Sequence, residues 1–554
     1  MNLFIVQSHP EPKSFTPFFS PPSGPAIGSF NGLHPRSKFL AVPMKHLITV
    51  FALLGVVWGQ ATAAEPSARP NIIIILADDL GYGDPGCYNP ESKIHTPNLD
   101  QLAQEGLRFT DAHAASAVCT PSRYGILTGR YPWRSRLKRG VLGPWGATLI
   151  ESNRLTLPAM LHAQGYTTAA IGKWHLGWHW PTTDGQPPSS RTNRHSNVDF
   201  SRPIADGPTT RGFDTYFGTD VPNYPPFCFI ENDHTVGNPT ALSNPEDFNI
   251  SGPALPGWRA VNILPELTRR AVRCVEDAAH AKDPRPLFLY FALTSPHYPV
   301  APAPEFVGKS GAGKYGDYVM QTDWVVGQIT AALRRTGLAD NTLLIFTSDN
   351  GPEIDDEIGI GAFARIQKYE HASMGSLRGV KRDAWEGGHR EPFIVRWPGH
   401  TPAGKVSDQF LILTDLMASL AALTGSTLPN DAAEDSFNLL PALLGGKVAR
   451  SPGVMVGISG KPALRQGDWV LIAGPTGREN PLPCGEPDWF RQLRGYTAAG
   501  DGDDSCQLFD LRDDPGERTN RAAMEGERVQ TMLTMLHQYQ RDGRSVPNRA
   551  GGHE

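Results

Sequence analysis

The chain has 554 residues, 40% of them hydrophobic, enough to bury a large core in two or more structural units or in one large domain with an appendage. A formal net charge of −5, with 19% charged residues and no long basic run, gives no ground for nucleic-acid binding. Glycine (57) and proline (50) are frequent, which points to many ordered loops and away from a helical bundle.

Residues 1–43 are rich in Pro, Ser, Phe and Gly and carry no hydrophobic period. Met44-Lys45-His46 then precedes an apolar run over 47–58, followed by Gln60-Ala61-Thr62-Ala63-Ala64. This is the basic start, apolar centre and small-residue cleavage site of a secretory signal peptide, and the run is shorter than a bilayer span requires. The expectation is translation from Met44, cleavage near Ala63 or Ala64, and an exported protein, periplasmic or secreted, with 1–64 as its leader. Export permits disulfides, and Cys484 with Cys506, which flank a loop-rich segment, are the pair to test first among the six cysteines.

The region after the leader opens with Asn71-Ile72-Ile73-Ile74-Ile75-Leu76-Ala77, a continuous apolar run that suits a parallel strand buried on both faces; Asp78 and Asp79 follow at once. Thr96-Pro97-Asn98 starts a helix through Leu99, Leu102 and Ala103 that stops at Gly106. Cys119-Thr120-Pro121-Ser122-Arg123 enters a short helix, with Pro121 suited to its first position and Gly129 to its exit. A cysteine there sits among unpaired backbone N–H groups that favour negative charge. Residues 157–164 read as a helix closed by Gly165, and 167–171 as a strand running into Gly172-Lys173-Trp174-His175-Leu176-Gly177. From His179 to about Arg211 the chain is polar and broken by Pro, Gly and Ser, a length of loop that usually serves function. A helix over 264–281 precedes a strand over 286–293 that leads into Ser295-Pro296-His297. Val319, Val326, Ile329 and Leu333 mark one face of a helix ending near Gly337, and a strand over 342–346 leads into Asp349-Asn350-Gly351.

Strands alternating with helices predict an α/β fold, a large, mostly parallel central sheet covered by helices on both faces. Past about Leu440 short alternating stretches (453–458, 469–473, 507–511) and a terminal helix over 529–539 predict a smaller α+β subdomain with an antiparallel sheet. The expected division is a catalytic domain at 65–440 and a C-terminal subdomain at 441–554.

Ligands of open α/β sheets gather outside the carboxyl ends of the strands. Four predicted strands end in reactive groups: Asp78 and Asp79, Lys173 and His175, His297, Asp349 and Asn350. Each alone has an ordinary structural reading as a cap, a turn or a surface histidine, but their joint placement argues for one composite site. Three carboxylates and an amide oxygen form a hard anionic donor set that suits Ca²⁺ or Mg²⁺ rather than Zn²⁺, and without a cation the carboxylates repel. Lys173, Lys381 and Arg123 supply positive charge for a tetrahedral anion, and Lys173 and His175, two residues apart, point to the same side of an extended segment. Arg191, Arg194, His195 and Arg211 can meet a second anionic group and Tyr224, Phe227 and Phe229 a pocket mouth, although solvated loop charge and local packing are the simpler readings.

Taken in order, Ala77-Asp78-Asp79-Leu80-Gly81-Tyr82-Gly83, the cysteine pentad with Thr128-Gly129-Arg130, Gly172-Lys173-Trp174-His175-Leu176-Gly177, Ser295-Pro296-His297, Ser348-Asp349-Asn350-Gly351 and Lys381 with Trp385-Glu386-Gly387-Gly388 resemble the formylglycine-dependent, type I sulfatases of the alkaline phosphatase superfamily, over about residues 69–540. The resemblance implies an alkaline phosphatase-like fold and an arylsulfatase-type hydrolase of sulfate esters. It implies Ca²⁺, ahead of Mg²⁺, held by Asp78, Asp79, Asp349 and Asn350, and Cys119 converted to formylglycine by a formylglycine-generating enzyme. The hydrated aldehyde, held by the metal and Arg123, then attacks sulfur to give a covalent sulfo-enzyme; His297 protonates the leaving alcohol, His175 takes the proton that lets sulfate depart, and Lys173 and Lys381 bind the sulfate oxygens. It implies a sulfated saccharide more than a small aryl sulfate. The alternatives are a phosphodiesterase or phosphonate monoester hydrolase of the same superfamily, or a binding homologue without catalysis.

Overall fold

The computed structural model describes residues 69–549 apart from 190–195, 245–246, 249, 355–360, 451, 475–485 and 497–505. The expectations for the leader, for Cys484 and for Arg191, Arg194 and His195 lie outside the described residues. No helix among the described residues is long and apolar enough to cross a membrane.

The apolar run after the leader forms the strand Asn71–Asp78, every residue of it buried. It lies inside a ten-stranded sheet, between the strands Thr342–Ser348 and Leu287–Pro296, and is parallel to both. Thr167–Lys173 and then Thr215–Thr219 continue the parallel core, while antiparallel strands flank it on both sides. The two-residue period of a strand sends alternate side chains to opposite faces. Ile72, Ile74 and Leu76 accordingly join one core with the helices Cys119–Thr128, Leu157–Ala163 and Leu416–Thr424. Ile73, Ile75 and Ala77 join a second core with the helices Ile263–Ala279 and Gly313–Arg335. Each fully buried isoleucine contributes about 1.5–3 kcal/mol, so this one strand anchors both layers.

The predicted α/β class and its helix-covered parallel sheet are therefore present, with local departures. The cysteine helix starts at Cys119 itself, which puts Pro121 third; the first four N–H groups of a helix have no internal partner, so a proline is tolerated there as well. Gly129 ends it in the left-handed region (φ 63°), its N–H donating to the Gly125 carbonyl at 2.9 Å. Thr96 does not cap the helix Pro97–Glu105, because its hydroxyl accepts instead from the Gly86 N–H at 2.9 Å. The strand after the 263–279 helix runs to Pro296, further than the apolar pattern indicates. Between the pairs Leu76–Ala292 and Asp78–Pro296 the register slips by two residues, and this irregularity at the strand end brings His297 alongside Asp79.

Close backbone approach is exacting at Gly172, which has φ 109° and would place a Cβ 1.7 Å from the Ala292 carbonyl oxygen of the neighbouring strand. Its successor is Lys173. Gly172→Ala is expected to cost about 3 kcal/mol or more in urea unfolding, through strain and a displaced strand pair; an unchanged midpoint would refute the packing argument.

The C-terminal antiparallel sheet is present with four strands in sequential order: Gly453–Val456, Pro462–Gln466, Trp469–Ile472 and Gln507–Asp510. The second of them carries no clear alternation and escaped the sequence reading. Val529, Met532 and Leu536 of the helix Gly526–Asp542 cover one face, in a cluster that includes Ala115 and Tyr131 from either side of the cysteine helix. Trp385 packs on the other face. The Ala117 N–H donates to the Val456 carbonyl and the Ile458 N–H to the Arg382 carbonyl, each at 2.9 Å, so this sheet braces both the cysteine loop and the segment carrying Lys381.

Candidate active site

Parallel register brings the predicted strand ends together at one edge of the sheet: Ala77 pairs with Ser348, Asp78 with Pro296 and Lys173 with Thr219. Asp78, Asp79, Asp349 and Asn350 are all fully buried there. Lys173 Nζ lies 2.9 and 2.7 Å from the two Asp78 carboxylate oxygens, and Lys381 Nζ 2.6 Å from Asp79 Oδ2. Asn350 Nδ2 donates to Asp79 Oδ1 at 2.7 Å. Arg123 has turned inward from its helix, with Nε 2.9 Å and Nη2 2.7 Å from Asp349 Oδ2, and Nη1 donating to the Lys173 carbonyl at 2.9 Å. His297 Nε2 stands 3.7 Å from Asp79 Oδ2, while its Nδ1 bonds the Tyr298 carbonyl oxygen. His175 is held through Nε2 by the Leu142 carbonyl at 2.9 Å, and its Nδ1 is buried without a partner.

Two of these residues sit in the left-handed backbone region, Asp79 at φ 66° and His175 at φ 54°. Non-glycine residues are uncommon there, and such outliers gather at functional sites. The strand-based expectation that Lys173 and His175 share an orientation does not apply, because the strand ends at Lys173 and the chain reverses its twist at His175.

Burial dominates the electrostatics. It pushes the Cys119 thiol up to about 12, outweighing the favourable charges of Lys173 and Lys381. It pushes Asp349 up to about 7 against the pull of Arg123, whereas Asp78 stays well below the carboxylate range because Lys173, His297 and Arg123 together overcome the same penalty. His297 is lowered to about 4 by burial and by Lys173, and His175 falls well below the imidazole range for the same two reasons. Asn350 Oδ1 is buried with no hydrogen-bond partner, and ligand atoms of Asp78, Asp79, Cys119 and His297 all lie within 4.8 Å of one another. An orphaned carboxamide oxygen and an all-oxygen donor set from Asp78, Asp79, Asp349 and Asn350 fit a hard divalent cation.

Cys119, 2% exposed, is at the floor of a cavity of about 330 Å³ that His175, His297 and Lys381 also line. Lys173 and Arg123 are not among the residues lining it; they pair with Asp78 and Asp349. Tyr224 lines the cavity, but the Phe227 ring packs against Phe248 at 4.3 Å between centroids, and Phe229 packs against Phe217 and, edge-on, against Trp258, each at 4.8 Å. Arg211 is neither a solvated loop charge nor a pocket group: it is buried and donates to the Ile150 carbonyl at 3.2 Å. Sequence reasoning missed Glu353 and Arg382, which line the cavity beside Lys381. Their one signal was position, three residues after Asn350 and next to Lys381.

Carboxylates and a histidine at the carboxyl edge of a parallel sheet thus meet a cysteine at a helix start. Residues 70–426 match the Sulfatase family model, and the chain belongs to the sulfatase family, enzymes that hydrolyse sulfate esters. It is 35% identical over 517 residues to an N-acetylgalactosamine-6-O-sulfatase of Bacteroides thetaiotaomicron, covering 86% of this chain and 94% of that one. It is also 35% identical over 496 residues to human arylsulfatase A, covering 88% and 89%. Among solved structures, a protein from glycosaminoglycan metabolism in Bacteroides thetaiotaomicron superposes with a TM-score of 0.71 at 33% identity, over 86% of this chain and all of that one. A phosphonate monoester hydrolase of Agrobacterium radiobacter shares the fold at a TM-score of 0.50 and 18% identity, over 85% and 95%.

Proposed function

We propose that this sulfatase removes sulfate from a sulfated saccharide, with Cys119 oxidised to formylglycine by a formylglycine-generating enzyme before it is active. The observation that carries the proposal is the setting of Cys119: burial pushes its thiol up to about 12, which disfavours the thiolate, yet ligand atoms of Asp78, Asp79 and His297 lie within 4.8 Å of its sulfur and His175 and Lys381 line the same cavity. The formylglycine hydrate supplies the oxygen that attacks sulfur and a second hydroxyl through which sulfate is later expelled. Asp78, Asp79, Asp349 and the Asn350 carboxamide oxygen would hold a calcium ion, with magnesium the lesser candidate, and the bound ion would supply positive charge to the carboxylates and Lewis acidity to the attacking oxygen.

Around these groups, Lys173 and Lys381 bind sulfate oxygens, and Arg123 keeps Asp349 and Asp78 oriented behind the nucleophile. His297, at the cavity wall, donates the proton to the departing sugar hydroxyl, and His175 removes the proton that frees sulfate. Support for a saccharide comes from the 35% identity to an N-acetylgalactosamine-6-O-sulfatase over nearly that protein's full length. In this proposal residues 65–440 carry the chemistry, 441–554 form the bracing subdomain, and the signal over 44–64 sends the protein out of the cytoplasm.

The test is release of sulfate from a panel of saccharides sulfated at single defined positions, run beside a phosphonate monoester and a phosphate diester. At least one sulfated saccharide is expected to exceed both phosphorus esters in kcat/KM by roughly a thousandfold, the equivalent of about 4 kcal/mol of differential transition-state binding. A preference for either phosphorus ester would sink the proposal.

A further inference from the structure

Glu353 is the one carboxylate among the described residues that line the cavity shared by Cys119 and His297. It is buried to within 13% of its side-chain surface yet faces that space. Its position is enforced. Arg382 grips both carboxylate oxygens, Nη1 on Oε1 and Nη2 on Oε2, the latter at 2.9 Å, and Lys381 Nζ approaches Oε2 at 3.1 Å. Burial opposes its charge, but Lys381 and Arg382 hold the carboxyl well below the usual range, which favours the ionised, hydrogen-bond-accepting form. Arg382 itself has φ 85°, a conformation that glycine adopts freely and arginine only at a cost. It is held there from two sides, its N–H donating to the Ala117 carbonyl at 2.8 Å and its carbonyl accepting from Ile458 at 2.9 Å.

Neutralising Lys381 does not by itself explain this construction, because Arg382 bonds both oxygens of the carboxylate whereas Lys381 approaches only Oε2. An apolar leaving group does not explain it either, since burying the pair against hydrocarbon strands a carboxylate that gains nothing from its neighbour. A second sulfate on the substrate would have to compete with Glu353 for Arg382 and Lys381, the two cations that carboxylate already engages. What a fixed, ionised carboxylate in a substrate cavity suits is a hydroxyl donor, and a sugar ring offers hydroxyls next to its sulfate.

We propose that Glu353, aimed by Arg382, is a specificity-determining residue that accepts a hydrogen bond from a hydroxyl of the sugar ring bearing the scissile sulfate. The inference rests on the proposed saccharide substrate and goes beyond it by naming the group that reads the ring. A hydroxyl recognised by a buried charged acceptor is distinguished sharply from its deoxy analogue, because the analogue leaves that acceptor unpaired.

The experiment compares kcat/KM for the best sulfated saccharide with that for each of its monodeoxy derivatives, in wild type and in Glu353→Gln and Glu353→Ala, with a small aryl sulfate alongside. In wild type one deoxy derivative is expected to fall by roughly ten- to a hundredfold. In both variants that ratio collapses to within about threefold, and the loss on the parent saccharide exceeds the loss on the aryl sulfate by at least about tenfold. The glutamine variant keeps the side chain's shape, so it guards against misfolding of the alanine form. If the variants keep the wild-type deoxy ratio, or lose both substrate types equally, Glu353 only positions Lys381 and the inference is overturned. If wild type turns over the aryl sulfate and no saccharide, the saccharide substrate itself is wrong and the role of Glu353 falls with it.

Discussion

Cys119→Ala is expected to lower sulfate ester turnover by about 10⁴-fold or more while leaving the thermal midpoint nearly unchanged, because it deletes the precursor of the nucleophile and little else. The side chain is small and buried, and removing its sulfur at the floor of an existing cavity creates almost no new void. Cys119→Ser is the sharper variant. A serine hydroxyl can take up sulfate but has no second hydroxyl from which to expel it, so turnover is expected to stop after one event and leave the protein heavier by one sulfo group. The same chemistry makes a statement about mass. In active enzyme the tryptic peptide 109–123 is expected about 18 Da lighter than its cysteine form, the difference between CH₂SH and CHO. Full activity from protein carrying only the unmodified thiol would refute the assignment, and burial says why it should not occur: a thiol at about 12 is almost wholly protonated at neutral pH.

Arg123→Ala is expected to fail in a different way, losing both stability and activity. The guanidinium is fully buried and pairs with Asp349 at 2.7 Å and with Asp78 at 3.5 Å, while Nη1 fastens the carbonyl at the end of the Lys173 strand. Deleting one partner of a buried ion pair leaves the other charge uncompensated, at about 3–5 kcal/mol. Unfolding by urea should show that loss, and kcat/KM should drop by about a thousandfold as Asp349, Asp78 and Lys173 lose their common anchor. Arg123→Lys is expected to recover little, since an ammonium cannot reproduce bonds from Nε, Nη1 and Nη2 at once. A stable, active alanine variant would mean that the carboxylates are held by their other partners alone.

Much of the fold was legible in the chain. Unbroken apolar runs such as Ile72-Ile73-Ile74-Ile75-Leu76 admit few placements other than a strand covered on both faces, and helices between them leave parallel pairing as the economical solution. Boundaries were less so. Pro121 at a third rather than a first helical position, and Thr96 spent on Gly86 instead of a cap, are choices among near-equivalent local bonds that packing decides. The Pro462–Gln466 strand carries no pattern of its own and exists because its neighbours pair with it on both sides.

The candidate site divides in the same manner. Residue order alone placed Asp78, Asp79, Lys173, His297, Asp349 and Asn350 at strand ends, because a parallel sheet sends all its carboxyl ends to one edge. The pentad from Cys119 to Arg123, in company with the other motifs, pointed to sulfatase chemistry. Tertiary structure decided how these groups serve one another. It set Lys173 on Asp78 and Lys381 on Asp79, turned Arg123 away from the cavity and onto Asp349, and bent Asp79, His175 and Arg382 into positive φ. It also placed Glu353 in the cavity that Cys119 lines and buried Cys119 where its thiol is pushed up to about 12. None of this is local. Ion pairs such as Lys381–Asp79, 302 residues apart, strained turns and burial arise only once distant segments have packed, since the charges and strain are stable only where the surrounding structure holds them.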